Sequence, residues 1–160
     1  RKESSAASDV YKRQSLAELK TLPGQEVAVS DWLQITQERI NQFAQASGDH
    51  QWIHVDAERC RQESPYGMPV AHGFLTLSLL PMLLSASISF PPCKLALNYG
   101  LNRVRFPAPV LVGQRIRGRM LLQSLEEIAG GVQMVWQVTV EADGGDKPVC
   151  VAELILRHYA

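Results

Sequence analysis

The chain has no excess of charge of either sign, which argues against several classes of partner. Its 160 residues include 16 Lys and Arg and 16 Asp and Glu, a formal net charge of +0 at pH 7. No net electrostatic field therefore attracts nucleic acid or an anionic membrane surface. We expect no nucleic-acid partner, and any anionic ligand must be met by locally placed groups.

Cysteine is scarce, and long apolar runs are missing. The three cysteines, Cys60, Cys93 and Cys150, are odd in number and form no CxxC pair. The pattern therefore indicates neither a disulfide framework nor a thiolate zinc site. The longest apolar segment, residues 73–84, is shorter than the roughly 18 residues that suggest a membrane span. The amino end is polar and lacks a signal-peptide pattern. We predict a cytoplasmic protein with no membrane partner.

The composition indicates one globular domain with a polar flank. Residues 1–14, RKESSAASDVYKRQ, lack apolar periodicity and are rich in Ser, Ala and charge. We expect this flank to be disordered and foreign to the natural protein. The whole chain is 46% hydrophobic and 20% charged, as in soluble globular proteins. Residues 15–160 are therefore predicted to form a single domain.

Two helical patterns precede a series of strands. Thr36 can cap a helix that ends at Gly48, and the segment from Gly73 is apolar on nearly every face, as in a helix enclosed by other elements. Pro81 should cost this helix a hydrogen bond and kink it near Leu77. Two-residue alternation then predicts strands over residues 95–106, 114–127, 132–142 and 148–158. The order predicts an α+β fold, with one antiparallel sheet around the buried helix or, alternatively, with two helices on one face of a sheet.

Titratable residues concentrate in the predicted loop after the first helix. Asp49 and His54 lie there beside apolar Trp52 and Ile53, a mixture that suits an acid–base pair because partial burial moves pKa values toward neutrality. In the alternative interpretation, Asp49 caps a turn and the histidine is solvated. Asp49, His50, His54 and Asp56 also have metal-ligand chemistry, but their spacing matches no metal motif. We predict no metal.

A second candidate segment is VAHGF, at the start of the long helix. Unpaired N–H groups at a helix start can stabilise a developing oxyanion, and Gly73 lets a ligand approach the backbone. Equally, Gly73 can permit tight packing, with His72 as a cap or packing residue.

Two further sets of residues have weaker signals. Arg103 and Arg105 lie on one side of a predicted strand and could meet phosphates or a partner subunit, although such arginines commonly form a solvated face. Ser78 and Cys60 are conceivable nucleophiles, but no base is implied nearby, and we expect both to be structural.

Three segments, FAQASGDHQWIHVD, PVAHGFLTLSLLP and LNYGLNRVRFPAPV, occur in the order found in a known family. From about Ser15 to the carboxyl end, the chain resembles the MaoC-like dehydratases, in particular the (R)-specific enoyl-CoA hydratases and their nodulation-protein-N-like relatives. The resemblance implies a hot-dog fold, in which a curved antiparallel sheet wraps a long central helix. It also implies a homodimer joined sheet to sheet, with the CoA groove at the seam.

The resemblance implies hydration of trans-2-enoyl-CoA to (R)-3-hydroxyacyl-CoA, and the reverse dehydration. No cofactor is expected, since CoA is part of the substrate. Asp49 and His54 match the family's catalytic pair, and Gly73 matches its oxyanion-hole glycine. The residues predicted to bind substrate are Trp52, Ala71, His72, Phe74, Asn98, Tyr99 and Arg105.

The chain departs from the family pattern in two places. Gln51 and Trp52 stand where many members have Asn and Pro, and Pro81 stands where many have a serine. We expect the first replacement to affect the shape of the loop and the acyl preference. The second removes the hydroxyl group that the serine would supply. The spacing between the aspartate and the histidine is kept. Two other functions stay open, an acyl-CoA thioesterase and a non-catalytic acyl-CoA-binding subunit.

Overall fold

The computed structural model describes residues 15–160, so the predicted flank, residues 1–14, lies outside the described residues. Most helices of the described part come first and the long strands follow. The helices are α1 (Leu16–Leu19), α2 (Gln37–Ser47), α3 (Trp52–Val55), α4 (Ala57–Glu63), α5 (Gly73–Ser78) and α6 (Leu80–Ser87). The strands are β1 (Gln25–Val29), β2 (Leu33–Gln34), β3 (Leu95–Arg105), β4 (Arg115–Ile128), β5 (Gly131–Ala142) and β6 (Cys150–Tyr159).

All six strands belong to one antiparallel sheet. Its order is β1-β4-β5-β6-β3, and β2 also pairs with β4. The β4–β5 hairpin closes at the pair Ile128 and Gly131, because Gly130 adopts a left-handed backbone with φ of 80°. The four long strands agree with the predicted strands to within two residues at each end.

One face of the sheet packs on the central helical segments. Met120 on β4, Trp136 and Val138 on β5, and Leu80 on α6 are all 0% exposed and belong to one core cluster. Burying each such side chain contributes about 1.5–3 kcal/mol. The arrangement confirms the predicted α+β fold, a hot-dog sheet around a central helix.

The central helix is divided into two segments. α5 ends at Ser78 and α6 begins at Leu80, so the break falls at Leu79 rather than near Leu77 as the sequence suggested. Pro81 consequently lies in the first turn of α6. A backbone N–H in that position has no acceptor within the helix. The expected loss of a hydrogen bond at Pro81 was therefore wrong.

Both predicted ends of α2 are confirmed. The Thr36 side chain accepts a hydrogen bond from the Arg39 N–H at 3.2 Å. At the other end Gly48 has a φ of 80°, and its N–H donates to the Ala44 carbonyl at 2.9 Å. This left-handed residue turns the chain out of the helix and into the segment that carries Asp49.

The sequence predicted a loop for the whole segment after Gly48, but part of this segment is helical. Trp52–Val55 forms the single helical turn α3. The Gln37 side chain donates to the His54 carbonyl at 2.8 Å, and the Val70 N–H donates to the Ile53 carbonyl at 3.1 Å. Because four residues have little helix-forming tendency alone, these contacts with distant residues stabilise the turn.

Candidate active site

Asp49 lies in the turn that follows α2, with its side chain at the surface. Its N–H donates to the Ser47 hydroxyl at 3.3 Å, and its Oδ1 accepts from the Gln51 N–H at 3.3 Å. These local bonds orient the carboxylate from its own turn. Gln51 supplies only its backbone N–H here, so the replacement of the family's asparagine leaves this bond intact.

His54 lies on α3 and is 9% exposed. Its Nδ1 is 2.7 Å from the Val70 carbonyl oxygen. A carbonyl only accepts, so Nδ1 carries the hydrogen and the neutral ring keeps its lone pair on Nε2. Burial lowers the pKa of His54 below its ordinary value of 6.5; the Val70 bond opposes this, the neighbouring His72 adds to it, and Asp49 opposes it. Near neutral pH, His54 therefore presents a proton acceptor.

The fold brings the two predicted catalytic side chains together with a third, His72. Asp49, His54 and His72 each offer a ligand atom, and these three atoms lie within 4.8 Å of one another. The His54 and His72 rings are stacked, with centroids 3.7 Å apart and planes inclined by 24°. His72 Nε2 is 3.0 Å from the Asp49 carbonyl oxygen. His72 is only 2% exposed, so little of its side chain is available for the predicted contact with substrate.

An apolar cleft of about 490 Å³ opens beside Asp49. The predicted residue Phe74 lines it and is 69% exposed. Phe43 and Ser47 also line it, although neither was among the residues predicted to bind substrate. The walls are Phe43, Ser47, Asp49, Phe74, Leu77 and Ser78.

Ala71 and Gly73 line a different cavity, of about 250 Å³, with Phe106 in its wall. Ala71 is 8% exposed, and its N–H donates to the Val110 carbonyl at 2.8 Å. Gly73 precedes Phe74, whose ring meets that of Phe106 edge to face at a centroid distance of 6.3 Å. The two rings therefore lie between the cleft and this cavity, and the oxyanion role of Gly73 stays a prediction.

A third cavity, of about 510 Å³, contains one of the predicted substrate-binding residues. Asn98 lines it together with Pro81, Met82, Leu97 and His158. The cavity lies beside α6 and β3, farther along the central helix than the Asp49 cleft. Asn98 is thus associated with the far end of this surface, away from the catalytic candidates.

The remaining predicted residues are engaged elsewhere on the chain. The Arg157 guanidinium covers the Tyr99 ring at 3.4 Å, and the Arg59 guanidinium covers the Trp52 ring at 4.3 Å. Arg105 is exposed and donates to the carbonyl of its own neighbour, Val104, at 2.7 Å. None of these three predicted residues lines the Asp49 cleft within residues 15–160.

Asp49, His54 and His72 have side chains of the types that bind metal ions. Nitrogen lone pairs lie in the plane of each imidazole ring, and the two rings are stacked nearly parallel. They cannot converge on one ion unless a ring turns, so the arrangement fits a resident metal poorly. Of the other two ligands considered from sequence, His50 is exposed, and Asp56 caps α4 by accepting from the Arg59 N–H at 3.0 Å.

Over residues 15–160, no helix is both long and apolar enough to cross a bilayer.

The chain belongs to the MaoC-like dehydratases. The family's MaoC like domain matches residues 18–144.

The chain is 51% identical over 148 residues to the 3-hydroxyacyl-thioester dehydratase Z of Mycobacterium tuberculosis, covering 92% of this chain and 97% of the relative. It is 43% identical over 143 residues to nodulation protein N of Rhizobium meliloti, covering 88% and 89%. Among solved structures, the R-hydratase PhaJ1 of Pseudomonas aeruginosa shares the fold, with a TM-score of 0.67, 22% identity and coverage of 86% and 81%.

Proposed function

We propose that the protein hydrates trans-2-enoyl thioesters, enoyl-CoA in particular, to (R)-3-hydroxyacyl thioesters and catalyses the reverse dehydration. The observation that carries the proposal is the meeting of Asp49 and His54, whose ligand atoms lie within 4.8 Å of one another, with Asp49 in the wall of an apolar cleft. Addition of water to an activated double bond needs two such groups beside an apolar binding surface. The names of the dehydratase and hydratase relatives support the same reaction.

In the proposed mechanism, a water molecule lies between the Asp49 carboxylate and His54 Nε2. Its oxygen bonds to C3 while one of the two side chains accepts a proton from it. The proton taken up by that side chain is then delivered to C2, so that the sum is H and OH across the double bond. The Val70 carbonyl keeps the hydrogen of His54 on Nδ1, and this leaves Nε2 to act on the water.

The thioester oxygen gains negative charge as C3 is attacked. We assign its stabilisation to the Gly73 N–H at the start of α5, next to Phe74 in the cleft wall. One oxyanion donor of this kind typically contributes about 2.7–4 kcal/mol to the transition state. Family resemblance supports the assignment; Gly73 itself lines the adjoining cavity, and the next residue, Phe74, lines the cleft.

We propose that the reaction uses no resident metal or redox cofactor, and that CoA enters only with the substrate. The stacked His54 and His72 rings support this, because they are poorly arranged to share an ion. Dialysis against EDTA should leave the hydration rate unchanged. A rate that falls on chelation and returns with added Zn²⁺ would contradict the proposal.

We further propose that two copies associate through β3. This strand is last in the sheet order and pairs only with β6 within residues 15–160. Nearly all its residues are exposed, including large apolar ones that a monomer seldom presents along a free edge. The exposed apolar residues of the strand are Leu95, Leu97, Tyr99 and Leu101.

Incubation of the purified protein with crotonyl-CoA tests the reaction. Loss of the absorbance of the conjugated enoyl thioester, without release of thiol, is the expected result. Thiol release would indicate a thioesterase, and binding without turnover would indicate a non-catalytic subunit. Coupling to an (S)-specific 3-hydroxyacyl-CoA dehydrogenase should give little NADH, whereas rapid NADH formation would contradict the (R) stereochemistry.

A further inference from the structure

We infer that His72 is a positioning residue that fixes the Asp49 turn relative to the His54 ring, an inference that rests on the proposed function for its kinetic consequences. His72 is 2% exposed and, like His54, is not among the residues that line the Asp49 cleft, whereas His54 keeps a 9% exposed surface. An atom of this side chain therefore has almost no route to substrate. Its contacts are with the residues that do line or border the site.

The first contact joins His72 to the turn of Asp49. The Asp49 carbonyl can only accept, so the 3.0 Å contact requires the hydrogen of His72 to lie on Nε2. This bond fixes the backbone of Asp49, whereas the bonds to Ser47 and Gln51 are made within its own turn. His72 thus supplies a restraint from a distant part of the chain.

The second contact joins His72 to the general acid–base candidate itself. Its ring is stacked on that of His54 at 3.7 Å, and Phe43 packs against it at 4.9 Å with a 59° inclination. The Val70 carbonyl fixes the Nδ1 edge of His54, and the stack fixes the plane of the ring. The direction of His54 Nε2 therefore depends on His72.

The third contact anchors His72 to the central helix. Its own carbonyl accepts from the N–H groups of Leu75 and Thr76, at 3.0 and 3.3 Å, in the first turn of α5. Gly73 follows directly in the chain. One residue thereby links the Asp49 turn, the His54 ring and the start of α5, so a small displacement of His72 alters the geometry of all three groups. A misplacement of about 1 Å can cost an enzyme ~10²-fold in rate.

Two substitutions separate the hydrogen bond from the ring. His72→Phe keeps a flat ring for the stack but cannot donate to Asp49. His72→Gln keeps an N–H donor at about the position of Nε2 but loses the ring. Folding should tolerate the phenylalanine, because His72 Nδ1 is buried without a hydrogen-bond partner among residues 15–160.

Both variants are compared with the wild type by kcat, KM, melting temperature and the NMR titration of His54. The matched control is His50→Phe, because His50 is an exposed histidine in the same turn. We expect His72→Phe to lower kcat ~10–100-fold with KM within about threefold, and to move the amide signals of Asp49 and Gln51. His72→Gln should restore the amide signals but shift the His54 titration.

Three results would overturn the inference. One is a wild-type kcat and wild-type spectra for His72→Phe. Another is a raised KM with unchanged kcat, which indicates contact with substrate. The last is a fall in kcat and in melting temperature that is the same in both variants, with the His54 titration unchanged. That result would indicate that His72 contributes packing alone. A wild type without hydratase activity would instead contradict the proposed function, and the NMR comparison would still test His72.

Discussion

The ring of Phe106 occupies the space beside the Gly73 Cα. A β-carbon built on Gly73 would lie 3.0 Å from Phe106 Cδ2 and 3.1 Å from Cε2, closer than side chains ordinarily pack. The backbone conformation at position 73 does not require a glycine. What distinguishes this position is the close approach of the Phe106 ring to the Gly73 Cα. The sequence interpretation of tight packing and the oxyanion interpretation are therefore compatible at this residue.

Gly73→Ala should destabilise the fold and slow the reaction. Overpacking of this kind costs about 1–3 kcal/mol, and the shift of Phe106 disturbs the start of α5. Urea unfolding and crotonyl-CoA kinetics measure the two effects. Phe106→Leu should recover most of the stability in the double variant, and Phe106→Leu alone is the control. Equal stability of Gly73→Ala and the wild type would contradict the steric argument.

Asp49→Asn and His54→Ala should each reduce hydration by ~10²–10⁴-fold, the range for a general acid–base group. Both should keep a cooperative thermal transition, because Asp49 is exposed and alanine leaves α3 attached through the backbone bonds of Ile53 and His54. Asp31→Asn, at another exposed aspartate, is the control. Near-normal hydration by either folded variant would remove that residue from the mechanism.

The rate of hydration should depend on pH through His54. Its pKa lies below 6.5 in the folded protein, chiefly because of burial, so Nε2 stays an acceptor at neutral pH. The rate should be level above pH 6.5 and fall only as the pH falls through the lowered pKa. Because the charge of Asp49 raises the pKa of His54, Asp49→Asn should lower it further in an NMR titration. A rate that already declines from above pH 7 would contradict this.

The free energy of unfolding should also decrease on acidification. His54 and His158 both have a lowered pKa in the folded state, so the unfolded chain binds more protons at and below pH 6.5. The free energy of unfolding should decrease as the pH falls through this range and be fully retained above it. His158→Gln should reduce the slope. A melting temperature that rises on acidification would show the opposite linkage.

Acyl length should depend on α6. The cleft and the third cavity are lined by residues three and four positions apart along α5 and α6, which suggests one path for an acyl chain. Met82→Trp should fill part of this path and lower kcat/KM for a decenoyl thioester about 30-fold, as expected from losing two or three buried methylenes at ~0.8 kcal/mol each. Crotonyl-CoA should be unaffected. Met68→Trp, at an exposed methionine outside both cavities, is the control. Equal loss with both substrates would contradict this path.

The proposed dimer predicts how three altered chains behave in light scattering. A chain of residues 15–160 should remain a dimer, because β3 lies within it. Leu101→Lys should dissociate it at micromolar concentration by placing charge in the apolar strand, whereas Ala129→Lys, at an exposed hairpin tip, should not. A monomeric wild type, or dissociation on removing residues 1–14, would contradict the assembly.

The sequence predicted secondary structure best where apolar residues recur at a constant spacing along a whole element. Two-residue alternation located the four long strands, and Thr36 and Gly48 marked both ends of α2, since these signals depend only on the local chain. The turn α3 was missed because it is stabilised by Gln37 and Val70, which are distant in sequence. Local patterns do not report such contacts.

The candidate site could be predicted only in part for the same reason. The types and spacing of Asp49 and His54 indicated acid–base chemistry, and their proximity in the structure agrees with it. His72 had two interpretations from sequence, as a substrate-binding residue and as a cap or packing residue, and its contacts with Phe43, Asp49 and His54 agree with packing. A histidine in sequence carries no mark that distinguishes a ring facing substrate from one stacked behind another ring.

The break at Leu79 divides the central helix into two short rods, each with its own first turn. α5 lies beside the proposed catalytic residues, and α6 lines the cavity farther along. Substitutions in α6 can therefore alter the shape of that cavity without transmitting a strain through one continuous ladder of hydrogen bonds to Gly73. A chain built in this way can change the substrates it accepts while its chemistry is preserved, and α6 is the segment in which a designer would begin.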